Sequence, residues 1–178
     1  MDTFRYFAYG SNMLTERLRE RCKSAKAIGV AIVFGYRLEF SKRSRDGSGK
    51  ATIVRSDKSE EHVFGVVFEV AISERAALDN VEGVGSGYER IDDLLARLQQ
   101  GGEIMRGATY VATDVDQTLQ PYDWYRALMI AGAHQHKLPP DWIELLEQIT
   151  SVPDLDPKRR LGASVLLEKS GFAHLVKQ

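Results

Sequence analysis

Two short stretches of this sequence combine residue types that can do acyl chemistry. The first is Tyr9-Gly10-Ser11-Asn12, at the end of an aromatic run that begins at Phe4. At a helix start the backbone N–H groups are unpaired and point outward, and the helix dipole favours negative charge there. Gly10 has no Cβ, so a ligand can come close to the main chain. Such a turn suits a carboxylate or a developing oxyanion; the same residues also serve as an ordinary helix cap. The second stretch is Leu78-Asp79-Asn80-Val81-Glu82-Gly83-Val84, which carries Glu82. A carboxylate at a helix C-terminus sits at the negative end of the dipole, where its charge is disfavoured. That setting suits a group that takes and gives a proton near neutrality, although an exposed acid at a helix end reads the same way.

The other candidates fail on their own requirements. Residues 47–52, GSGKAT, lack a Gly at Ser44 and a Ser or Thr at Ala51, both of which a phosphate loop needs. Gly83-Val84-Gly85-Ser86-Gly87 follows a helix and has the wrong spacing for a dinucleotide fingerprint. His134 and His136 are two apart and cannot share a helix face. His62 and His174 have no evident partners, and no Ser-His-Asp or Cys-His arrangement emerges. The single cysteine, Cys22, excludes an internal disulfide, a zinc ribbon or an iron–sulfur cluster within one chain.

Composition narrows the class further. The 178 residues include 24 Lys and Arg against 25 Asp and Glu, which argues against a strongly basic nucleic-acid binder. An apolar content of 43% is too high for a disordered chain. One cysteine fits a reducing compartment. The start, MDTFRYFAYGSN, does not read as a leader. No run approaches the roughly 20 apolar residues of a membrane helix. The expectation is a soluble cytoplasmic protein without nucleic-acid or membrane partners.

The elements that must position these residues follow from pattern. Residues 4–9 read as a strand, then a glycine turn, then a helix over 13–21 with Ser11 and Asn12 as N-cap types. Residues 28–40 are apolar and β-branched, bent at Gly35, and 42–50 form a polar loop. Strands follow at 51–54 and 63–70, then a helix over 73–82 stopped by Gly83. Residues 88–100 are ambiguous. Ile91, Leu94, Leu95 and Leu98 have helical spacing, yet Gly101-Gly102 and the apolar run after it look like a hairpin. Helices are expected at 122–136, 141–149 and 159–167, with a tail over 172–178. Strands dominate the first two thirds and helices the last third, which indicates an α+β fold.

FAYGSNM together with the downstream LDNVEGVGSGYER resembles the γ-glutamylcyclotransferases. The match continues through GKATIV and VFGVVFEV, which resemble that family's paired barrel strands. It extends to Tyr125 ahead of Ala131-Gly132-Ala133 and Leu138-Pro139. It covers about residues 4–150. The resemblance implies a small closed mixed β-barrel with flanking helices and a cavity at one end, over residues 1–152. Residues 153–178 are then a C-terminal extension, partly helical and packed on that domain. It implies that 88–98 is a strand and that Glu82 is the acid–base residue. Tyr9, Gly10, Ser11 and Asn12 would hold a γ-glutamyl group through backbone amides, with Tyr125 as a substrate-side tyrosine. Ser86 and Tyr88, close to Glu82 in sequence, are candidates to orient it. No cofactor or metal is implied. The partner is a small-molecule γ-glutamyl substrate, and the resemblance is compatible with a homodimer. The implied reaction is cyclisation of a γ-glutamyl amide or peptide to 5-oxoproline with release of an amine or amino acid. The alternative is a non-catalytic ligand-binding or interaction domain on the same barrel.

Overall fold

The computed structural model describes residues 2–177. Seven strands form: β1 (Thr3–Ala8), β2 (Lys26–Phe34), β3 (Tyr36–Arg43), β4 (Gly49–Arg55), β5 (His62–Ala71), β6 (Tyr88–Leu98) and β7 (Ile104–Ala112). Five of them close a barrel in the order β1-β5-β2-β6-β7. Four joins are antiparallel, and the fifth, β1 to β7, is parallel through Tyr6 and Ala108. Closure removes the sheet edges. Phe7 and Phe68 are almost wholly buried inside. The helices are α1 (Thr15–Arg19), α2 (Arg75–Glu82), α3 (Asp123–Gln135), α4 (Pro140–Gln148) and α5 (Pro157–Lys169). The closed mixed barrel with flanking helices is the fold the sequence led us to expect. Among the described residues no helix is long and apolar enough to cross a membrane.

Residues 88–98 form a barrel strand in spite of their helical spacing, and the register explains the spacing. A bulge between Ile91 and Leu94 offsets the alternation. Beyond it Leu94 and Ala96 face inward while Leu95, 54% exposed, faces out. A strand with one bulge and one outward leucine therefore mimics an i, i+3, i+4 pattern.

Four local expectations need correction. GKATIV is β4, and it lies outside the barrel, in a two-stranded sheet with β3. The apolar run over 28–40 is two strands, because the chain turns at Gly35 and β3 leaves the barrel to pair with β4. That hairpin takes Lys42 and Arg43 at one end and Gly49 and Lys50 at the other, so the polar loop is shorter than 42–50. Finally, Ser11 and Asn12 cap no helix. They form a single 3-10 turn over Ser11–Met13, and Leu14 begins α1 without a side-chain cap. The side chains of Ser11 and Asn12 are thereby free for tertiary bonds.

α3 is buried along nearly its whole length. Its Ala131-Gly132-Ala133 segment lets the 3-10 turn lie directly on the helix. A Cβ at Gly132 would stand 2.6 Å from the Leu14 nitrogen and 2.7 Å from the Met13 carbonyl carbon. After Val152 the chain supports the other end of α3. Asp154 is buried, accepts from Trp124 Nε1 at 2.7 Å, and takes two bonds from Arg159 of α5 at 2.6 and 2.7 Å. Gly132→Ala should destabilise the protein by roughly 1–3 kcal/mol through overpacking. In an unconstrained helix the same change stabilises by roughly 1 kcal/mol. The sign of the Tm shift in a thermal melt decides between the two.

Candidate active site

The barrel, the 3-10 turn, the end of α2 and the β3–β4 hairpin enclose a cavity of about 160 Å³. Its walls include Tyr9, Gly10, Ser11, Asn12, Glu82, Tyr88 and Tyr125, so seven of the eight residues singled out from sequence converge there. Ser86 does not. It is exposed on the far side of the turn after α2, where its hydroxyl donates to the Gly83 carbonyl at 3.4 Å.

Glu82 is placed by its helix. α2 ends in a left-handed Gly83, at φ 77°, whose N–H returns to the Asp79 and Asn80 carbonyls. A non-glycine residue would be strained there. One turn before Glu82, Asp79 ties α2 to the barrel. It accepts from Tyr110 Oη of β7 at 2.8 Å and pairs with Arg90 of β6. The Glu82 Oε1 atom accepts from Asn12 Nδ2 at 2.7 Å and from Arg21 Nη1 at 2.8 Å. Arg21 Nη1 also donates to Asn12 Oδ1 at 2.6 Å. Asn12 Nδ2 further meets Tyr6 Oη at 3.0 Å. The bare helix-end carboxylate read from sequence is thus held by a cation and an amide from segments 61 and 70 residues away in the chain.

The turn after β1 is equally defined. Among the described residues, no acceptor in the chain bonds to the N–H groups of Gly10, Ser11 or Asn12, although Ser11 and Asn12 are buried. Unpaired amides in buried residues are uncommon and mark a place for a ligand or water. A Cβ on Gly10 would lie 3.1 Å from Tyr125 Oη and 3.4 Å from Ala51 Cβ, so nothing larger than hydrogen fits easily. Tyr125 Oη accepts from the Ala51 N–H at 3.2 Å, and Tyr88 Oη donates to the Ala51 carbonyl at 2.6 Å. Tyr9 Oη donates to the Tyr110 carbonyl.

Burial pushes the phenols of Tyr6, Tyr9, Tyr88 and Tyr125 above their ordinary range, and nearby Glu82 adds to the effect. They are neutral hydrogen-bonding groups at neutral pH. Four cations also line the cavity: Arg17 and Arg21, which sequence reading missed, and Lys42 and Lys50, from the basic run over 42–50 that reads as a solvated loop able to meet an acidic ligand. Burial, with Arg21 nearby, pushes the Arg17 guanidinium down to about 10, so it stays charged at neutral pH. Lys50 is bonded to Asp46 at 2.7 Å and sits 4.6 Å from the Trp124 ring centre and 4.8 Å from that of Tyr125. Burial opposes ionisation of Asp46, but hydrogen bonds from Lys50 and Ser48 outweigh it and hold the carboxyl at about 2. No local motif marks these four, because they come from α1, the segment just after it, and the two strands of the hairpin. Among the described residues, no group of three or more His, Cys, Asp or Glu is arranged to hold a metal.

Comparison with known proteins agrees with this fold. Residues 62–146 match the model of the AIG2-like family. The chain is 35% identical over 153 residues to γ-glutamylcyclotransferase of Mus musculus, covering 83% of this chain and 79% of that protein. It is 32% identical over 169 residues to the Bos taurus enzyme of the same name, covering 92% and 86%. A solved structure titled γ-glutamyl cyclotransferase superposes with a TM-score of 0.83 at 29% identity, covering 94% of this chain and 99% of that one. The fold is therefore that of a family of small-molecule enzymes built on a closed barrel. The chain belongs to the γ-glutamylcyclotransferase family.

Asp79 offers a test of how Glu82 is carried. Burial works against its charge, but hydrogen bonds from Arg90 and Tyr110 outweigh it and lower its pKa below 3.8. A lowered folded-state pKa contributes stability that is present above the unfolded value and lost as pH falls through the folded one. Asp79→Asn should cost about 1–3 kcal/mol at pH 7. In urea denaturation the gap from wild type should narrow as the pH drops below 3.8. A gap independent of pH would remove the charged anchor.

Proposed function

We propose that this protein cyclises a γ-glutamyl amide or peptide to 5-oxoproline and releases the amine or amino acid. The observation that carries the proposal is that two features line one small cavity. One is a carboxylate, Glu82; the other is the set of unpaired amides of Gly10, Ser11 and Asn12. The substrate brings its own nucleophile, so no Ser, Cys or Lys nucleophile is required. The α-amine attacks the γ-carbonyl carbon and forms the ring C–N bond, and the original amide C–N bond then breaks. An ammonium cannot attack, so it first releases one proton to solvent; Glu82 takes a second from the attacking nitrogen as the ring closes and gives that one to the departing nitrogen. Asn12 and Arg21 bind only Oε1, which leaves Oε2 for this traffic. The free amides of the turn bind the glutamyl carboxylate or the oxyanion of the tetrahedral intermediate. Neutral Tyr9, Tyr88 and Tyr125 wall the folded substrate. Holding amine and carbonyl together in this way is worth up to about 7–11 kcal/mol of barrier. The non-catalytic alternative leaves the aimed carboxylate without a purpose.

Glu82→Gln should abolish formation of 5-oxoproline from γ-glutamyl dipeptides with a thermal melt near that of wild type. Gln keeps an oxygen for Arg21 and Asn12 but exchanges no proton. Turnover within a few-fold of wild type would move the acid–base role elsewhere. Gly10→Val should abolish binding of 5-oxoproline in titration calorimetry, because its methyl groups enter the space beside Tyr125. Unchanged affinity would place the ligand away from this turn.

A further inference from the structure

The charges around the cavity do not cancel. Arg21 is matched by Glu82 and Lys50 by Asp46. Among the described residues, Arg17 and Lys42 make no salt bridge. Arg17 Nε donates to the neutral Ser11 Oγ at 2.9 Å. Lys42 Nζ stands 4.9 Å from the centre of the Tyr88 ring. A partly buried cation without a counter-ion is unfavourable unless a bound anion supplies one.

The two unmatched cations occupy different walls. Arg17, from α1, reaches the turn whose amides are free. Lys42, from β3, lies against Gly87 and Tyr88; a Cβ at Gly87 would stand 3.0 Å from Lys42 Cε and 3.2 Å from its Nζ. Burial lowers the Lys42 pKa, and of the acids that oppose this Glu82 acts most strongly. Gly87 and Tyr88 lie on the chain just after the end of α2, so Lys42 packs on the segment that follows Glu82, and Lys42, Tyr88 and Glu82 line the same cavity.

We infer that Lys42 reads the leaving group, selecting γ-glutamyl compounds whose departing nitrogen carries a carboxylate on its neighbouring carbon. This rests on the cyclotransferase reading above. Glu82 returns its proton to the departing nitrogen, so that nitrogen lies beside Glu82. A carboxylate on the adjoining carbon is two bonds further on, towards Lys42. The glutamyl carboxylate belongs with the free amides of the turn and with Arg17. Two carboxylates then meet two unmatched cations, whereas a simple amine leaves Lys42 without a counter-ion.

γ-Glutamyl-alanine and γ-glutamyl-ethylamide differ only in that carboxylate, and 5-oxoproline release reports on both. Wild type should turn over both, with kcat/KM for the dipeptide roughly 10–100-fold higher, as a charge-assisted hydrogen bond allows. Lys42→Met should bring that ratio to within a few-fold of one, chiefly by raising KM for the dipeptide, and Lys42→Arg should keep most of it. Arg17→Met should slow both substrates alike, since both carry the glutamyl carboxylate. The ratio is internal to each protein, so partial loss of folded enzyme does not alter it. A ratio unchanged in Lys42→Met, or one lost in Arg17→Met instead, overturns the assignment. Equal efficiency of wild type on both substrates also overturns it and leaves the cyclotransferase reading standing. Release of 5-oxoproline from neither overturns that reading itself.

Discussion

The bond between Glu82 and the Asn12–Arg21 pair is the constraint on which the rest of the cavity depends. It joins the end of α2 to the turn after β1 and to the chain just beyond α1, three pieces far apart in sequence. Arg21 and Glu82 have side chains only 20% and 15% exposed, so water screens them weakly. Loss of one partner would leave the other a poorly solvated charge, which is far more unfavourable than the intact pair is favourable. The pair thus specifies how turn and helix face each other. The site then needs little else than a rigid frame, and the closed barrel, with Tyr110 and Arg90 gripping Asp79, provides it.

Placing several cations and one carboxylate around a small, half-open cavity makes counter-ion arrangement decisive. Interactions between charges strengthen as water is excluded. The structure answers by pairing Lys50 with Asp46 inside an aromatic surround and by keeping the phenols neutral. The β3–β4 hairpin is the element that brings Lys42 and Lys50 to the cavity while staying outside the barrel. Because the barrel does not need it for closure, this wall can vary without disturbing the acid or the turn.

The chain after Val152 reaches the site only indirectly. Asp154 holds Trp124, which sits over Lys50, and Arg159 holds Asp154. A buried carboxylate bonded to both an indole and a guanidinium is a demanding geometry. Its effect here is to fix the entry of α3, and with it Tyr125.

Much of this protein was legible in its sequence wherever the determining interactions are local. The turn at Tyr9-Gly10-Ser11-Asn12, the helix ending at Gly83 and the hairpin at Gly101-Gly102 follow from glycine placement and apolar period, which act over a few residues. The γ-glutamylcyclotransferase family resemblance added the barrel and the strand at residues 88–98. Pattern alone could not settle that strand, because a bulge and an outward Leu95 copied a helical period. Only the tertiary structure decided that GKATIV leaves the barrel, that Asn12 serves Glu82 rather than a helix cap, that Ser86 turns away, and that Arg17, Arg21, Lys42 and Lys50 converge. Each of these depends on partners tens of residues distant, and a charged side chain's role is set by which opposite charge the fold delivers to it. Sequence spacing carries no record of that delivery.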